Sequence, residues 1–413
     1  MDKYILICPK CGKTYGKYDM VCPTDGTLLR TEYSKTSFKP CDLPGIWKFY
    51  NWLPVEGIIK KGTGKTLTYK SENLADKLGL EKLYISFNGY WPEKGAFMKT
   101  CSFKDLESYP TMQRVIEQEE KNTMVVASAG NTARAFAHVS SITGLPLLLV
   151  VPENAIEKLW IPAGSTSSIC VAAVQGDYYD AISIASRITE REGFVPEGGA
   201  KNVARRDGMG TVMLDATLTM KCLPDHYFQA VGSGTGGIAA WEAAMRLKED
   251  GRYGDKMPQL HLAQNLPCAP LIQLHEDVAV DPKCPEGMYD TVLFNRKPPY
   301  AVGGGVRDAL EATEGDFYGI TNKEAEEARL LFEELEGIDI MNSAAVATAA
   351  LIKAVRNTKV SKSDLIMLNI TGGGVKGALK ELATISLEPD LVVSPENSEA
   401  PAKIIQRTED KFE

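Results

Sequence analysis

Three glycine-bearing turns, each set directly behind an apolar run, constrain the fold of this chain more than any other feature. They are Ala127-Ser128-Ala129-Gly130-Asn131-Thr132, Gly232-Ser233-Gly234-Thr235-Gly236-Gly237 and Thr371-Gly372-Gly373-Gly374. The first two open a helical pattern, so each reads as a strand that turns tightly and hands the chain to a helix. Around them the alternation is regular. Helices are expected over 104–120, 132–143, 178–192, 238–248 and 322–335, and strands over 123–127, 145–151, 168–174, 226–231, 259–263 and 365–370. Alternation of this kind predicts an α/β fold with largely parallel sheets.

With 413 residues, 44% of them hydrophobic, the chain can fill two or three domains. Lys+Arg 46 against Asp+Glu 54 gives a net charge of -8, which argues against nucleic acid or an acidic membrane as partner. An anionic small molecule would have to be met by a local basic pocket. Met1-Asp2-Lys3-Tyr4 does not begin a secretory signal, and no apolar run is long enough for a span, so a cytoplasmic protein is expected. Nine cysteines, with Cys170 and Cys222 inside apolar runs, fit reduced thiols.

Residues 1–40 read as a separate small module. Cys8-Pro9-Lys10-Cys11-Gly12 has the spacing of a zinc knuckle, whereas Cys22-Pro23-Thr24-Asp25-Gly26 carries Asp25 where a fourth cysteine would stand. Cys8, Cys11, Cys22 and Asp25 are the candidate ligands, with Cys41 a substitute for the last. The residues leave open a structural zinc and a metal-free relic.

Two nucleotide readings fail, each for want of one residue. Gly62-Thr63-Gly64-Lys65-Thr66 would need a glycine where Ile59 stands to be a P-loop. Gly232 to Gly237 satisfies the dinucleotide fingerprint, but Gln259-Leu260-His261-Leu262-Ala263-Gln264 ends without the acidic residue that would hold a ribose. What remains at Gly232 to Gly237 is a helix start whose amides and hydroxyls converge on an anion, suited to a monophosphate. Asn131 and Thr132 could simply begin a helix. Lys104, between Phe103 and Asp105, can be held partly desolvated, which favours the neutral amine that attacks a carbonyl. His138, His226, His261 and His275 lack metal spacing and read as structural.

In their order along the chain, Ser102-Phe103-Lys104-Asp105 and the three glycine turns resemble the pyridoxal-phosphate enzymes of fold type II, the threonine synthase and cysteine synthase superfamily. The resemblance implies two doubly wound, mostly parallel sheet domains beside a small zinc-ribbon-like module over 1–40, which some threonine synthases also carry. A large cofactor domain would cover 41–120 and 205–393, a small substrate domain 121–204, and a polar tail 394–413. It also implies pyridoxal 5'-phosphate held by Lys104, the catalytic residue, with Asn131 at the phenolic oxygen. Gly232, Ser233, Gly234, Thr235, Gly236 and Gly237 would cradle its phosphate and Thr371 would face the pyridine nitrogen. A neutral hydroxyl there favours elimination and replacement over transamination. Ser128, Ala129, Gly130 and Thr132 would hold a substrate carboxylate.

The chain departs from the threonine synthase pattern in places that bear on substrate. Lys65-Thr66-Leu67 replaces Thr-Pro-Leu, Ser86-Phe87-Asn88 replaces Lys-Asp-Glu, and Lys104-Asp105-Leu106-Glu107 replaces Lys-Asp-Arg-Gly. Arg134 stands where a small residue is usual, and its planar fork suits phosphate or sulfite. Lys65, Lys99, Arg205 and Arg206 are further candidates for that anion. Within the resemblance these changes imply a β-replacement in which sulfite displaces the phosphate of O-phospho-L-serine. The alternatives are a threonine synthase acting on O-phospho-L-homoserine with water and, from another class, a non-catalytic pyridoxal-phosphate-binding regulator. A homo-oligomer is expected.

Overall fold

The computed structural model describes residues 2–128, 130–280, 287–295 and 298–413. Two sheets organise them. In spatial order the larger comprises strands Asp316–Ile320, Gln259–Asn265, His226–Ala230, Leu365–Ile370, Lys82–Phe87 and Leu67–Lys70, all parallel except the last pair. The smaller comprises Phe194–Pro196, Thr123–Ala127, Leu147–Pro152, Ile169–Val174 and Leu391–Val393, and is parallel throughout. Leu147–Pro152 and Ile169–Val174 are buried along their whole length, as strands covered by helices on both faces must be. Turns that follow strands of both sheets come close together, since Met341 touches both Gly372 and Asn131 and Val292 lies near both Gly130 and Gly232. Among the described residues no helix is long and apolar enough to cross a membrane.

Most of the expected elements are present, and the differences have physical causes. The helix that starts at Lys104 ends at Ile116, short of the expected residue 120. Beyond it Glu117, Glu119 and Glu120 would crowd negative charge at the negative end of the helix dipole. The helix from Tyr178 stops at Ile188 before a comparable run with Glu190 and Glu192. Helix Thr235–Asp250 begins three residues before the expected start: its glycines are tolerated because a Cβ at Gly236 would overlap the Gln229 amide. The expected polar tail is ordered. Strand Leu391–Val393 joins the smaller sheet and not the larger, and helix Ala400–Phe412 buries Ala400, Ile404 and Thr408.

The N-terminal ribbon is a three-stranded antiparallel sheet in the order Thr14–Tyr15, Tyr4–Ile7, Arg30–Tyr33. Its two loops match bond for bond. The Gly12 amide donates to the Cys8 carbonyl at 2.9 Å and the Gly26 amide to Cys22 at 2.8 Å, while the Cys8 and Cys22 amides reach Lys13 and Thr27 at 3.0 and 2.8 Å. Asp25 thus occupies the place that Cys11 takes in the first loop.

The ribbon does not stand apart, because it shares the main core and is bolted to helix Val203–Met220. Asp207 accepts hydrogen bonds from Thr31, from the Tyr33 hydroxyl at 2.6 Å and from Arg246 at 2.6 Å. Arg206 donates to the carbonyls of Leu29 and Ala200 and pairs with Glu242 at 2.9 Å. Removing one member of a buried ion pair costs about 3 to 5 kcal/mol. Asp207→Ala should therefore lose stability of that order in urea titration and expose residues 1–40 to limited proteolysis before the rest. Unchanged stability with a protected ribbon would refute the anchoring role.

Candidate active site

Lys104 is the first residue of its helix, and its position is set by backbone alone. The preceding loop is zipped to the turn after strand Leu365–Ile370: the Phe103 amide donates to Thr371 O at 3.0 Å, the Gly373 amide to Cys101 O at 3.0 Å, and Ser102 bridges Gly372. Such close approach needs glycine. A Cβ at Gly374, whose φ is +72°, would overlap the Tyr90 carbonyl. Cys101 itself adopts φ of 60°, an uncommon conformation for a residue with a side chain. Asp105 is buried and accepts from the Thr100 hydroxyl at 2.5 Å, and burial pushes its carboxyl up to about 7.

The Lys104 amine lies 3.4 Å from Glu107 Oε2 and 4.8 Å from the Phe103 ring centroid, with 23% of the side chain exposed. Burial lowers its pKa, and Glu107 opposes that shift. The shift runs in the direction expected from the sequence, in a more charged setting than Phe103 and Asp105 alone suggested. The Glu107 carboxylate is fully buried and is the feature sequence reasoning missed. Its only signal was its place three residues after Lys104, one helical turn on.

Asn131 and Thr132 open helix Asn131–Thr143 behind strand Thr123–Ala127. Thr132 donates to Glu107 Oε1 at 3.2 Å, and the Ser128 hydroxyl accepts from the Gly130 amide at 3.2 Å. Ala129 lies outside the described residues. Arg134 is not an open anion clamp. It is 5% exposed and donates to Thr100 O at 3.0 Å, to Lys158 O at 3.4 Å and to Asn131 Oδ1 at 2.7 Å, over the Trp160 ring. Arginine can only donate, so the Asn131 oxygen must face it and the Asn131 NH2 must face away. Near that NH2 the Met341 sulfur lies at 3.7 Å.

At the phosphate-type turn the Ser233 and Thr235 hydroxyls lie 2.8 Å apart at the start of helix Thr235–Asp250. Among the described residues the amides of 233–236 have no backbone acceptor, which leaves them free for an anion. Segment 290–294, not assigned from sequence, spans both turns. A Cβ on Gly130 would meet Val292 Cγ1 at 3.6 Å and one on Gly232 would meet Val292 O at 3.4 Å. Asp290 fixes this segment by accepting from the Ser343 amide at 2.9 Å.

Of the other basic candidates, Lys99 is half-buried and three are committed elsewhere. Arg205 pairs with Glu107 at 2.6 Å and with Glu197, Arg206 serves the ribbon, and Lys65 lies 3.9 Å from Asp215. Ser86 and Asn88 are buried: Asn88 takes a hydrogen bond from Thr66 at 2.7 Å and gives one to Asn369 at 2.8 Å, forming a polar floor beneath the cleft. Among the histidines, His226 bonds His261 at 2.9 Å and Asp364 at 3.1 Å. In the ribbon the sulfurs of Cys8, Cys11 and Cys22 lie within 4.8 Å of one another. Asp25 does not join them, because it accepts from the Thr27 amide at 3.1 Å and pairs with Lys10 at 3.1 Å; nor does Cys41.

A family model described as "Pyridoxal-phosphate dependent enzyme" matches residues 59–372. The chain is 60% identical to the cysteate synthase of Methanococcoides burtonii over 98% of both chains. It is 51% identical to that of Methanothrix thermoacetophila over 97% of both. Among solved structures it resembles processed threonine deaminase isoform 2 from Solanum lycopersicum, with a TM-score of 0.56 and 18% identity over 76% of this chain and 86% of that one. The donor set fits pyridoxal phosphate: a partly exposed amine, free amides with two hydroxyls, and an Asn131 NH2 facing away from Arg134. If Arg134 orients that amide, Arg134→Met should weaken pyridoxal phosphate binding by about ten- to a hundredfold, the worth of a charge-assisted hydrogen bond. Titration with the cofactor, read by absorbance, checks this, and unaltered affinity would refute it. The chain belongs to the family of pyridoxal-phosphate dependent enzymes.

Proposed function

We propose that this enzyme converts O-phospho-L-serine and sulfite into L-cysteate and phosphate. The observation that supports this most is the likeness to cysteate synthases over nearly the whole of both chains. In the reaction the Cβ–O bond breaks, phosphate leaves with its electron pair, and the sulfite sulfur forms the Cβ–S bond. The α hydrogen leaves as a proton and returns. Bound pyridoxal phosphate supplies the electron sink for the pair released at Cα.

The chain's residues divide the remaining work. Lys104 takes the α proton and gives it back. Asn131 would direct its NH2 at the cofactor's phenolic oxygen, residues 232–237 would hold its phosphate, and the neutral Thr371 hydroxyl would meet its ring nitrogen. The turn Ser128 to Thr132, at the positive end of a helix, receives the substrate carboxylate. L-cysteate lies on a route to coenzyme M, and the relatives that share this sequence come from methanogens.

Phosphate release from O-phospho-L-serine should require sulfite and yield L-cysteate, and borohydride should fix the pyridoxyl label on Lys104. Release from O-phospho-L-homoserine with water alone would instead establish a threonine synthase. A bound cofactor with no turnover of either would leave a regulator.

We also propose a structural zinc on Cys8, Cys11 and Cys22. Convergence of the three sulfurs supports it, and the Lys13 amide and Tyr15 hydroxyl draw the Cys11 thiol down to about 7, toward the thiolate that a metal needs. Metal analysis should find about one zinc per chain, lost in Cys22→Ser. Less than about a tenth of that in gently purified protein would mean a metal-free ribbon.

A further inference from the structure

Glu107 has no part in the scheme above, yet it touches the atom on which that scheme turns. Its carboxylate is fully buried. One oxygen lies 3.4 Å from the Lys104 amine, and the other accepts from Arg205 at 2.6 Å and Thr132 at 3.2 Å. Arg205 is held in turn by Glu197, and the Tyr178 phenol faces the same group. The result is a row of alternating sign, Lys104, Glu107, Arg205, Glu197, drawn from three separate stretches of chain.

Burying ions in such a row is costly unless each has its partner. Arg205 is shared between Glu107 and Glu197, so the row as a whole is neutral only while Lys104 is an ammonium. We propose that Glu107 sets the proton affinity of Lys104, stabilising the ammonium that the lysine becomes whenever it carries the substrate's α proton. Arg205 limits that stabilisation by drawing on the same carboxylate. The directions of the shifts agree: Lys104 is lowered by burial, raised by Glu107 and lowered by Arg205. Burial would raise Glu107, but Arg205 and Lys104 outweigh it and hold the carboxyl below its ordinary value. The inference rests on Lys104 being the amine that moves this proton.

The test is a pH titration of the visible absorbance of the full chain loaded with pyridoxal phosphate, whose midpoint reports protonation of the lysine nitrogen joined to the cofactor. An opposite charge at this distance moves a pKa by about 1 to 3. Glu107→Gln should lower the midpoint by that amount, and Glu107→Asp should recover part of it. Arg205→Met should move the midpoint the opposite way, because Glu107 is then undivided. A merely structural Glu107 would change stability and leave the midpoint in place. A folded Glu107→Gln protein that titrates like the unsubstituted one overturns the inference. If Glu107→Gln does not fold, Arg205→Met decides, an upward midpoint supporting the inference and an unmoved or lowered one overturning it. Unsubstituted protein that takes pyridoxal phosphate on another lysine overturns the reading of the site itself, and this inference with it.

Discussion

The site depends on a short backbone ladder between residues 101–103 and the turn Thr371 to Gly374. It joins Thr371 and its glycines to the loop that launches the lysine helix by main-chain bonds, with the Cys101 sulfur adding a contact to Gly374 O at 3.8 Å. Backbone hydrogen bonds of this kind tolerate no sideways slip, which is why glycines crowd the turn and why Cys101 is held at positive φ. Lys104 then projects from the first turn of a buried helix, where small displacements of the backbone are resisted along its whole length.

Around that ladder the two sheets contribute by polarity. Parallel strands all finish on one side, so the amide-rich helix starts after Thr123–Ala127, His226–Ala230 and Leu365–Ile370 gather at one cleft. Arg134 links one of these turns to the ladder by reaching both Thr100 and Asn131. Its charge serves to orient an amide where an open guanidinium had been expected to meet an anion. Three of its N–H donors are already taken by Thr100 O, Lys158 O and Asn131 Oδ1.

The alternation of strands and helices, and the three turns, were legible because period and glycine placement are local properties of sequence. Strands Thr123–Ala127 and Leu365–Ile370 have the expected bounds. Helix ends were less legible, since the acidic run after Ile116 and the packing behind Gly236 act through dipoles and neighbours. Long-range pairings were not legible at all. Nothing near Arg205 announces Glu107, nothing near Asp207 announces Tyr33, and Val292 lies far along the chain from both turns it touches. Asp25 shows the same limit at short range: the register of its loop is that of a ligand, yet its carboxylate is held by Lys10 and Thr27 and lies outside the cluster of three sulfurs.

The strand Leu391–Val393 completes the smaller sheet by pairing with Ile169–Val174, although four of the six strands of the larger sheet lie between them in sequence. During synthesis the smaller sheet must therefore keep an exposed, apolar edge while the last four strands of the larger sheet are made, for such an edge cannot be paired before its partner exists. The cleft between the sheets would be assembled before one wall is finished. Helix Ala400–Phe412, which follows that strand and packs on helix Tyr178–Ile188, then closes the smaller sheet from outside. The smaller sheet is thus finished after the larger one, whose last strand is Leu365–Ile370.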